Sequence, residues 1–191
     1  ELSNIEKLSY SGSKLPYIGM EDIESGTGKF LGIKDAREVK SKTFRFTDEH
    51  VLYGRLRPYL NKVLNAKFEG HCSTEIFPIK PNKKLEKGFL FYWLTMKSTC
   101  EKINSTCTGA RMPRADMREV MEFSLPHPNV NEQIRICERL QSLQSEVSTL
   151  DRIYNDKLEL LDELKKSILQ KAFSGELSKT PESKTNKEAV A

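Results

Sequence analysis

Apolar positions follow two different spacings, and the change between them falls near residue 128. In the first part of the chain the apolar runs are short and alternate with polar positions, as at Arg45, which stands between Phe44 and Phe46. Alternation of this kind, rich in aromatic and β-branched residues, is typical of half-buried strands. The strands are predicted at 44–46, 51–53, 59–66 and 72–79. A short helical pattern begins at Leu90.

In the second part of the chain, apolar residues recur every three or four positions. Asn131 is predicted to cap the start of a helix, Glu132 lies in its first turn, and Gly175 is predicted to end it. No Gly or Pro interrupts residues 131–173, and nine of the ten positions along one face, here called the seam, are apolar or aromatic, Lys157 being the exception. The nine are Ile136, Leu140, Leu143, Val147, Leu150, Tyr154, Leu161, Leu164 and Ile168.

A helix of this length measures about 60 Å, and its apolar seam needs cover from another helix. The alternative is that the helix packs back along its own domain, but a core of about 130 residues is only about 30 Å across. A helical partner is therefore predicted. The last residues, Lys179 to Ala191, are rich in Lys, Glu, Ser and Thr, so we expect a disordered tail at 176–191.

Charge is unevenly distributed over the 191 residues. Residues 1–130 carry 21 Lys and Arg against 16 Asp and Glu, whereas residues 131–191 carry 10 against 11. The positive excess indicates that any polyanion meets the first part of the molecule, although many globular domains carry a similar charge. The longest apolar run, Phe89 to Leu94, is far shorter than the ~20 residues that a membrane span needs, so no membrane contact is expected.

Residue types that perform catalysis or bind metals show no productive spacing. The four cysteines form no C-x-x-C pair, and the three histidines have no metal-ligand spacing with them. The loop SGTGKF at 25–30 lacks the first Gly and the Ser or Thr of a phosphate-binding loop. Motifs of amino-methyltransferases and metal-dependent nucleases are also missing. The sequence predicts no active site, no metal and no cofactor, and its unpaired thiols are consistent with a cytoplasmic location.

Six segments resemble, in order, the motifs of one family, the specificity subunits of type I restriction–modification enzymes. They are PYIGMEDIE at 16–24 with GTG at 26–28, VLYGRLRPYLNKV at 51–63, CSTEI at 72–76, GARMPR at 109–114, LPHP at 125–128 with EQI at 132–134, and LKKSILQKAFSGEL at 164–177. The similarity covers residues 16–177, and the series is more specific than any one of its members.

The resemblance implies an α+β fold, in which a mixed target-recognition domain at 1–128 precedes one long helix at 129–175 that forms an antiparallel coiled coil. In that family the domain reads one half of a split target in double-stranded DNA, and the subunit performs no catalysis. The helix sets the spacing between halves and docks methyltransferase and restriction subunits. A complete subunit carries two such domains and two such helices. This chain is therefore expected to be part of a larger subunit, or a half-size subunit that pairs with a second recognition half as a homodimer.

Side chains suited to DNA contact occur on the turns and strands of the predicted domain. The candidates are Lys29, Arg55, Arg57, Lys62, Ser73, Thr74, Arg111 and Arg114. The Lys and Arg residues before position 63 would contact phosphates, or else form ordinary solvated surface. Arg111 and Arg114 lie in a loop bounded by Gly and Pro, and arginine can hold guanine O6 and N7 with two hydrogen bonds. The Ser–Thr pair also suits a purely structural role in a strand.

Two other interpretations are compatible with the same pattern. A coiled-coil assembly adaptor would have an incidental positive charge, and its binding to duplex DNA would not depend steeply on salt. The recognition region of a larger, fused restriction–methylation enzyme would need catalytic motifs upstream.

Overall fold

The computed structural model describes residues 5–7, 15–32 and 42–178, and the chain forms two compact units, Glu1–Arg139 and Leu140–Ala191. Residue 128 lies inside the first unit, so the functional division expected there stays a prediction. Of the tail predicted at 176–191, residues 176–178 form a short 3-10 helix, and the rest lies outside the described residues.

Among the described residues, seven strands form two sheets. Their bounds are β1 Ile5–Lys7, β2 Tyr17–Ile18, β3 Lys42–Phe46, β4 Val51–Gly54, β5 Val63–Asn65, β6 Gly70–Ser73 and β7 Ile76–Ile79. The first sheet has the order β1-β3-β6-β2, in which β2 and β6 are parallel and the other neighbours antiparallel. The second sheet, β5-β4-β7, is antiparallel throughout.

Four α-helices and three short 3-10 helices complete the described part of the chain. The α-helices are α1 Lys87–Thr95, α2 Lys97–Ser105, α3 Met117–Met121 and α4 Val130–Phe173. The 3-10 helices are Met20–Asp22, Pro58–Leu60 and Glu176–Ser178. The mixture of small sheets with a long C-terminal helix confirms the predicted α+β class.

The three-stranded sheet is buried on both faces, and it forms the centre of the first unit. Val51 and Tyr53 of β4 pack in one apolar cluster with side chains of α1, α2 and α3. Leu52 lies between them in sequence and packs in a second cluster with side chains of β3 and β6, because successive residues of a strand point to opposite faces. This explains the unbroken apolar run at 51–53. A strand enclosed in this way is a rigid base for the loops at its ends.

The single strand predicted at 72–79 is wrong, because the segment forms two strands in different sheets. β6 ends at Ser73 and β7 begins at Ile76, with Thr74 and Glu75 between them. The Glu75 N–H donates to Ser73 Oγ at 3.2 Å, a local hydrogen bond typical of serine in turns. The turn thus transfers the chain from one sheet to the other.

The predicted strand at 59–66 is also shorter in the structure. Arg57 and Asn61 have φ values of 50° and 45°, in the left-handed region, and they flank the 3-10 helix that begins at Pro58. Only the end of the run forms β5. The helical pattern at Leu90 likewise forms two helices, because Met96 adopts an extended conformation between α1 and α2.

The start of α4 is capped by a different asparagine from the one predicted. Asn129 Oδ1 accepts a hydrogen bond from Glu132 N at 3.0 Å, so Asn129 is the cap and Asn131 lies inside the helix. The predicted end is confirmed, since Gly175 has a φ of 72° directly after the helix. At 44 residues the helix is about 66 Å long.

The first turns of α4 belong to the first unit, and Gln133 fixes them there. This residue is fully buried. Its side-chain oxygen accepts from Glu86 N at 2.8 Å, and its side-chain nitrogen donates to Lys84 O and Pro128 O at 2.9 and 2.8 Å. One turn further, buried Cys137 donates from Sγ to the Glu86 carboxylate. Among the described helices, none combines the length and apolar character required to cross a membrane.

Candidate nucleic-acid interface

The candidate interface begins where β4 ends. Beyond Gly54 the chain continues in an extended form, and it is paired on both sides. Arg55 N donates to Glu75 O at 2.9 Å, while Ala115 N donates to Arg55 O at the same distance. Arg57 N donates to Pro113 O at 2.8 Å. Residues 55–57 are therefore enclosed between the β6–β7 turn and the segment that ends the 109–114 loop.

Backbone pairing also closes the 109–114 loop at its base. Thr108 and Arg114 exchange two hydrogen bonds of 3.1 Å in an antiparallel bridge. Gly109, at the start of the loop, has a φ of 90°, a conformation that side chains other than glycine rarely adopt. Arg111 and Met112 are exposed between these two points. The loop therefore presents Arg111 to solvent from a fixed base.

Glu75 connects two of the candidate arginines. Its Oε1 accepts from Arg114 Nε and Nη2 at 3.0 and 2.9 Å, and its Oε2 accepts from Arg55 Nε at 3.0 Å. The carboxylate side chain is 22% exposed, and those of Arg55 and Arg114 are 30% and 38% exposed. The Arg55 guanidinium also lies over the Phe77 ring, 5.2 Å from its centroid, which favours a cation–π contact. We call these three charged residues the arginine–glutamate cluster.

Electrostatics inside the cluster favour the ionised carboxylate. Burial raises the pKa of Glu75, but the hydrogen bonds and positive charges of Arg114 and Arg55 outweigh burial, so the pKa lies below the ordinary glutamate value. Sequence analysis did not select Glu75 for a role at the interface. The available signal was its charge, because it is the sole Asp, Glu, Lys or Arg between positions 70 and 79.

Arg57 and Arg111 have a different environment from the two arginines of the cluster. Both are exposed, and neither side chain forms an ion pair with the residues that the structure describes. Arg57 also has a left-handed backbone, a strained conformation for a residue with a side chain and one of the kinds that cluster at functional sites. Their charges are therefore available to an external anion.

The two candidate lysines lie around the neighbouring loop at Asn61. Lys29 is exposed, and its turn is joined to that loop by a hydrogen bond of 3.1 Å from Gly26 N to Asn61 O. Gly28 has a φ of 69°, and a Cβ there would lie 2.5 Å from the Phe91 ring, so the turn requires glycine. Lys62 Nζ donates to Met20 O at 2.7 Å, so this ammonium group is already bound within the domain.

The structure brings most of the candidate DNA-binding residues together. The segments that hold Arg55, Arg57, Arg111 and Arg114 are hydrogen-bonded to one another or to the turn that holds Ser73 and Thr74. Ser73 accepts the turn hydrogen bond described above, which is the structural role considered for it. The role of each residue in DNA binding stays a prediction.

The seam of α4 divides between the two units. Ile136 belongs to the first unit and is half-buried, as is Leu140 at the start of the second. The other seven apolar seam positions are exposed. Five more large apolar side chains on the part of α4 in the second unit are also exposed, namely Ile153, Leu158, Leu160, Leu169 and Phe173. The apolar stripe of the second unit is therefore wider than the seam that the spacing predicts.

Solved structures of specificity subunits from type I restriction–modification systems share this fold. The HsdS subunit from Thermoanaerobacter tengcongensis superposes with a TM-score of 0.65 and 20% identity, over 96% of this chain and 45% of that chain. The S subunit from M. genitalium superposes with a TM-score of 0.50 and 18% identity, over 91% of this chain and 44% of that chain.

Sequence comparison gives the family. Residues 3–168 match the Type I restriction modification DNA specificity domain, and the chain belongs to this family. It is 32% identical to the EcoDI specificity subunit of Escherichia coli over 164 residues, which are 85% of this chain and 36% of that protein. It is 23% identical to the MjaVIII specificity subunit of Methanocaldococcus jannaschii over 181 residues, 87% of this chain and 40% of that protein. The resemblance seen in the motifs is confirmed.

The chain is shorter than the proteins that it matches. The chain spans less than half of each of the relatives and structures named above. Membership of this family does not favour the interpretation as an assembly adaptor, for which the sequence offered only the helix seam.

Proposed function

We propose that this chain recognises a DNA sequence within the specificity subunit of a type I restriction–modification complex. The observation that carries the proposal is the joining of three segments that hold Arg55, Arg57, Arg111 and Arg114, in a member of this family. Two of these arginines, Arg55 and Arg114, bind one carboxylate, that of Glu75. The proposed ligand is double-stranded DNA, and the proposed target is one half of a split sequence.

The four arginines divide into two kinds of contact. Exposed Arg57, on the edge of the extended segment, suits a phosphate contact, which fixes register without reading sequence. Arg111, at the tip of a closed loop, suits insertion into the major groove, where two hydrogen bonds to guanine distinguish it from other bases. Lys29 would extend the phosphate contacts to the adjacent turn.

Assembly is proposed to occur through α4. Its apolar stripe in the second unit supports pairing with another helix, as an antiparallel coiled coil that joins this recognition domain to a second one. The second half would be another copy of this chain or a further part of a longer subunit. We further propose that methyltransferase and restriction subunits dock at this helix and supply all the catalysis, and that the complex acts in the cytoplasm.

Selection of DNA tests the proposal directly. The full chain is incubated with a library of duplexes that have a randomised central stretch, and the bound fraction is sequenced. We expect one motif to be enriched, and the logarithm of the affinity to fall with the logarithm of salt concentration by about 0.9 per phosphate contacted.

The Arg111→Ala variant tests whether the 109–114 loop reads a base. It should lose about 1–3 kcal/mol of binding to the selected duplex and relax the preference at one position. Lys83→Ala is the control. Lys83 is exposed and follows the C-terminal end of β7, whereas Glu75 precedes its N-terminal end, and the replacement of Lys83 also removes one positive charge. Absence of an enriched motif for the unaltered chain would contradict the proposed function, whereas an unchanged motif for Arg111→Ala would exclude only this loop.

A further inference from the structure

The carboxylate of Glu75 binds two candidate DNA-binding arginines, Arg55 and Arg114, and so links their side chains. Both of its oxygens accept hydrogen bonds. Oε1 accepts from Arg114 Nη2 at 2.9 Å, and Oε2 accepts from Arg114 Nε at 3.1 Å and from Arg55 Nε at 3.0 Å. Charge-assisted pairs with two parallel bonds are strong and directional. The positions of both guanidinium groups are therefore set by one acidic residue.

The bonds to Glu75 leave a defined part of each arginine available. Arg114 uses Nε and Nη2 on the carboxylate, so one of the two edges that could form paired bonds to a base is occupied. Its Nη1 lies 3.4 Å from Met112 O, a weak contact. Arg55 uses Nε alone, and its flat face rests on Phe77, so both of its terminal nitrogens remain for an external acceptor. Each arginine thus presents terminal N–H groups in a fixed direction.

Glu75 is itself fixed by hydrogen bonds of its backbone. Glu75 N donates to Ser73 Oγ, and Glu75 O accepts from Arg55 N at 2.9 Å. The opposite side of the same extended segment is fixed by the bond from Ala115 N to Arg55 O. Three segments distant in sequence therefore share one rigid junction, and its charged centre is partly shielded from water.

We infer that Glu75 is a positioning and specificity-determining residue of the DNA interface, which fixes Arg55 and Arg114 and offsets part of their charge. This inference rests on the proposed function. Offsetting one positive charge weakens attraction to any duplex, because that attraction depends on the number of cations that meet phosphates. Fixing the two guanidinium groups favours duplexes whose acceptors lie where the N–H groups point, which increases discrimination between sequences.

The test compares Glu75→Gln with the unaltered full chain in the same selection, using a random duplex and the selected duplex as probes. The variant should bind the random duplex about threefold more tightly at fixed salt, and its salt slope should be steeper by about 1. Its preference for the selected duplex over the random duplex should fall about tenfold. Loss of folded protein would weaken binding to both probes, so a purely structural role does not give this result.

A matched control accompanies the variant. Glu69→Gln makes the same change in an exposed pair with Arg45, at the other end of β6 and about 20 Å away along the strand, and it should change neither probe. A melting curve of each variant establishes that it is folded at the assay temperature.

A further variant keeps the inference testable if Glu75→Gln does not fold. Arg114→Lys retains the charge but loses the two parallel bonds, so it should keep the salt slope and lose selectivity about tenfold. Unaltered selectivity in both Glu75→Gln and Arg114→Lys would overturn the inference while the proposed function stands. Failure of the unaltered chain to enrich any motif would instead overturn the proposed function, and with it the inference.

Discussion

At the scale of single residues, the environment of each arginine differs more than its sequence position suggests. Arg55 and Arg57 are two positions apart, yet the first is bound to Glu75 and stacked on Phe77, and the second is exposed with a left-handed backbone. Because Arg57 leaves the extended conformation, the two side chains differ in backbone geometry as well as in their partners. Arg55 is therefore held by an internal partner, whereas the guanidinium group of Arg57 is available to an external one.

Acid titration of the cluster is the first prediction at this scale. Because the pKa of Glu75 lies below the ordinary value of 4.5, its ionised form is favoured in the folded state. The resulting stabilisation is complete above pH 4.5 and is lost as the pH falls through the lower, folded-state pKa. Glu75→Gln lacks this group, so it should be less stable by about 1 kcal/mol near neutral pH, a modest value because the cluster is partly open to solvent.

Urea denaturation of both proteins across the acidic range measures this difference. The gap in the free energy of unfolding should stay constant above pH 4.5 and shrink below it. Glu69→Gln should show little gap at any pH, because its ion pair with Arg45 is exposed. A gap for Glu75→Gln that persists unchanged into strong acid would show that the carboxylate does not titrate as the cluster requires.

Sequence reasoning at this scale identified the arginines and did not identify the acid that binds them. The Glu75 partners lie 20 and 39 positions away, at Arg55 and Arg114. No local spacing rule connects such positions, since the pairing depends on how β4, β7 and the 109–114 loop are brought together. Lys62 illustrates the same limit, because its bond to Met20 O depends on a turn 42 positions earlier.

At the scale of elements, turns explain where the predicted strands were wrong. Composition alone favoured single strands at 59–66 and 72–79, since both runs are rich in β-forming residues. The first is interrupted by the 3-10 helix that begins at Pro58, and the second by the turn at Thr74 and Glu75. Both interruptions lie at strand ends, beside residues of the proposed DNA interface. The long helix was predictable, because its apolar period persists over many turns.

Gln133 fixes the first turns of α4 within the first unit. Gln133 bonds three backbone groups, those of Glu86, Lys84 and Pro128, in a site closed to solvent. Replacement by alanine leaves these groups without their partner, and an unsatisfied buried polar group costs about 1–3 kcal/mol. Gln133→Ala should therefore lower the free energy of unfolding by about 2 kcal/mol or more.

Two measurements examine the role of Gln133. Urea denaturation gives the stability, and hydrogen exchange of the Glu86 amide, which donates to Gln133, reports the local opening of this junction. Gln141→Ala, on an exposed part of the same helix, is the control and should alter stability by less than about 0.5 kcal/mol. Equal exchange rates at Glu86 in both variants would mean that Gln133 does not hold the helix start.

At the scale of the whole molecule, the first unit can satisfy its own core, and the second cannot. The first unit buries two apolar clusters around its sheets. Every residue from Gln141 to Ser174 is exposed in the single chain, including large apolar side chains over the full length of the second unit's helix. A helix with such a stripe is not expected to persist unpaired in water, because most helical stability in proteins comes from packing of an apolar face. We therefore expect this helix to pair with another one, supplied by a second copy or by another segment.

The last prediction tests that pairing in the purified chain. Leu161 is a seam residue, and its replacement by glutamate puts a charge into the proposed helix interface in each of two copies, at a cost of about 3 kcal/mol or more, so dimer affinity should fall at least about 100-fold. Asn155→Glu adds the same charge to an exposed position outside the seam and should leave the dimer intact. Sedimentation equilibrium measures both variants. Since the proposed DNA interface lies in the other unit, Leu161→Glu should still bind the duplex of one half-site. A variant that remains dimeric would contradict pairing through this face.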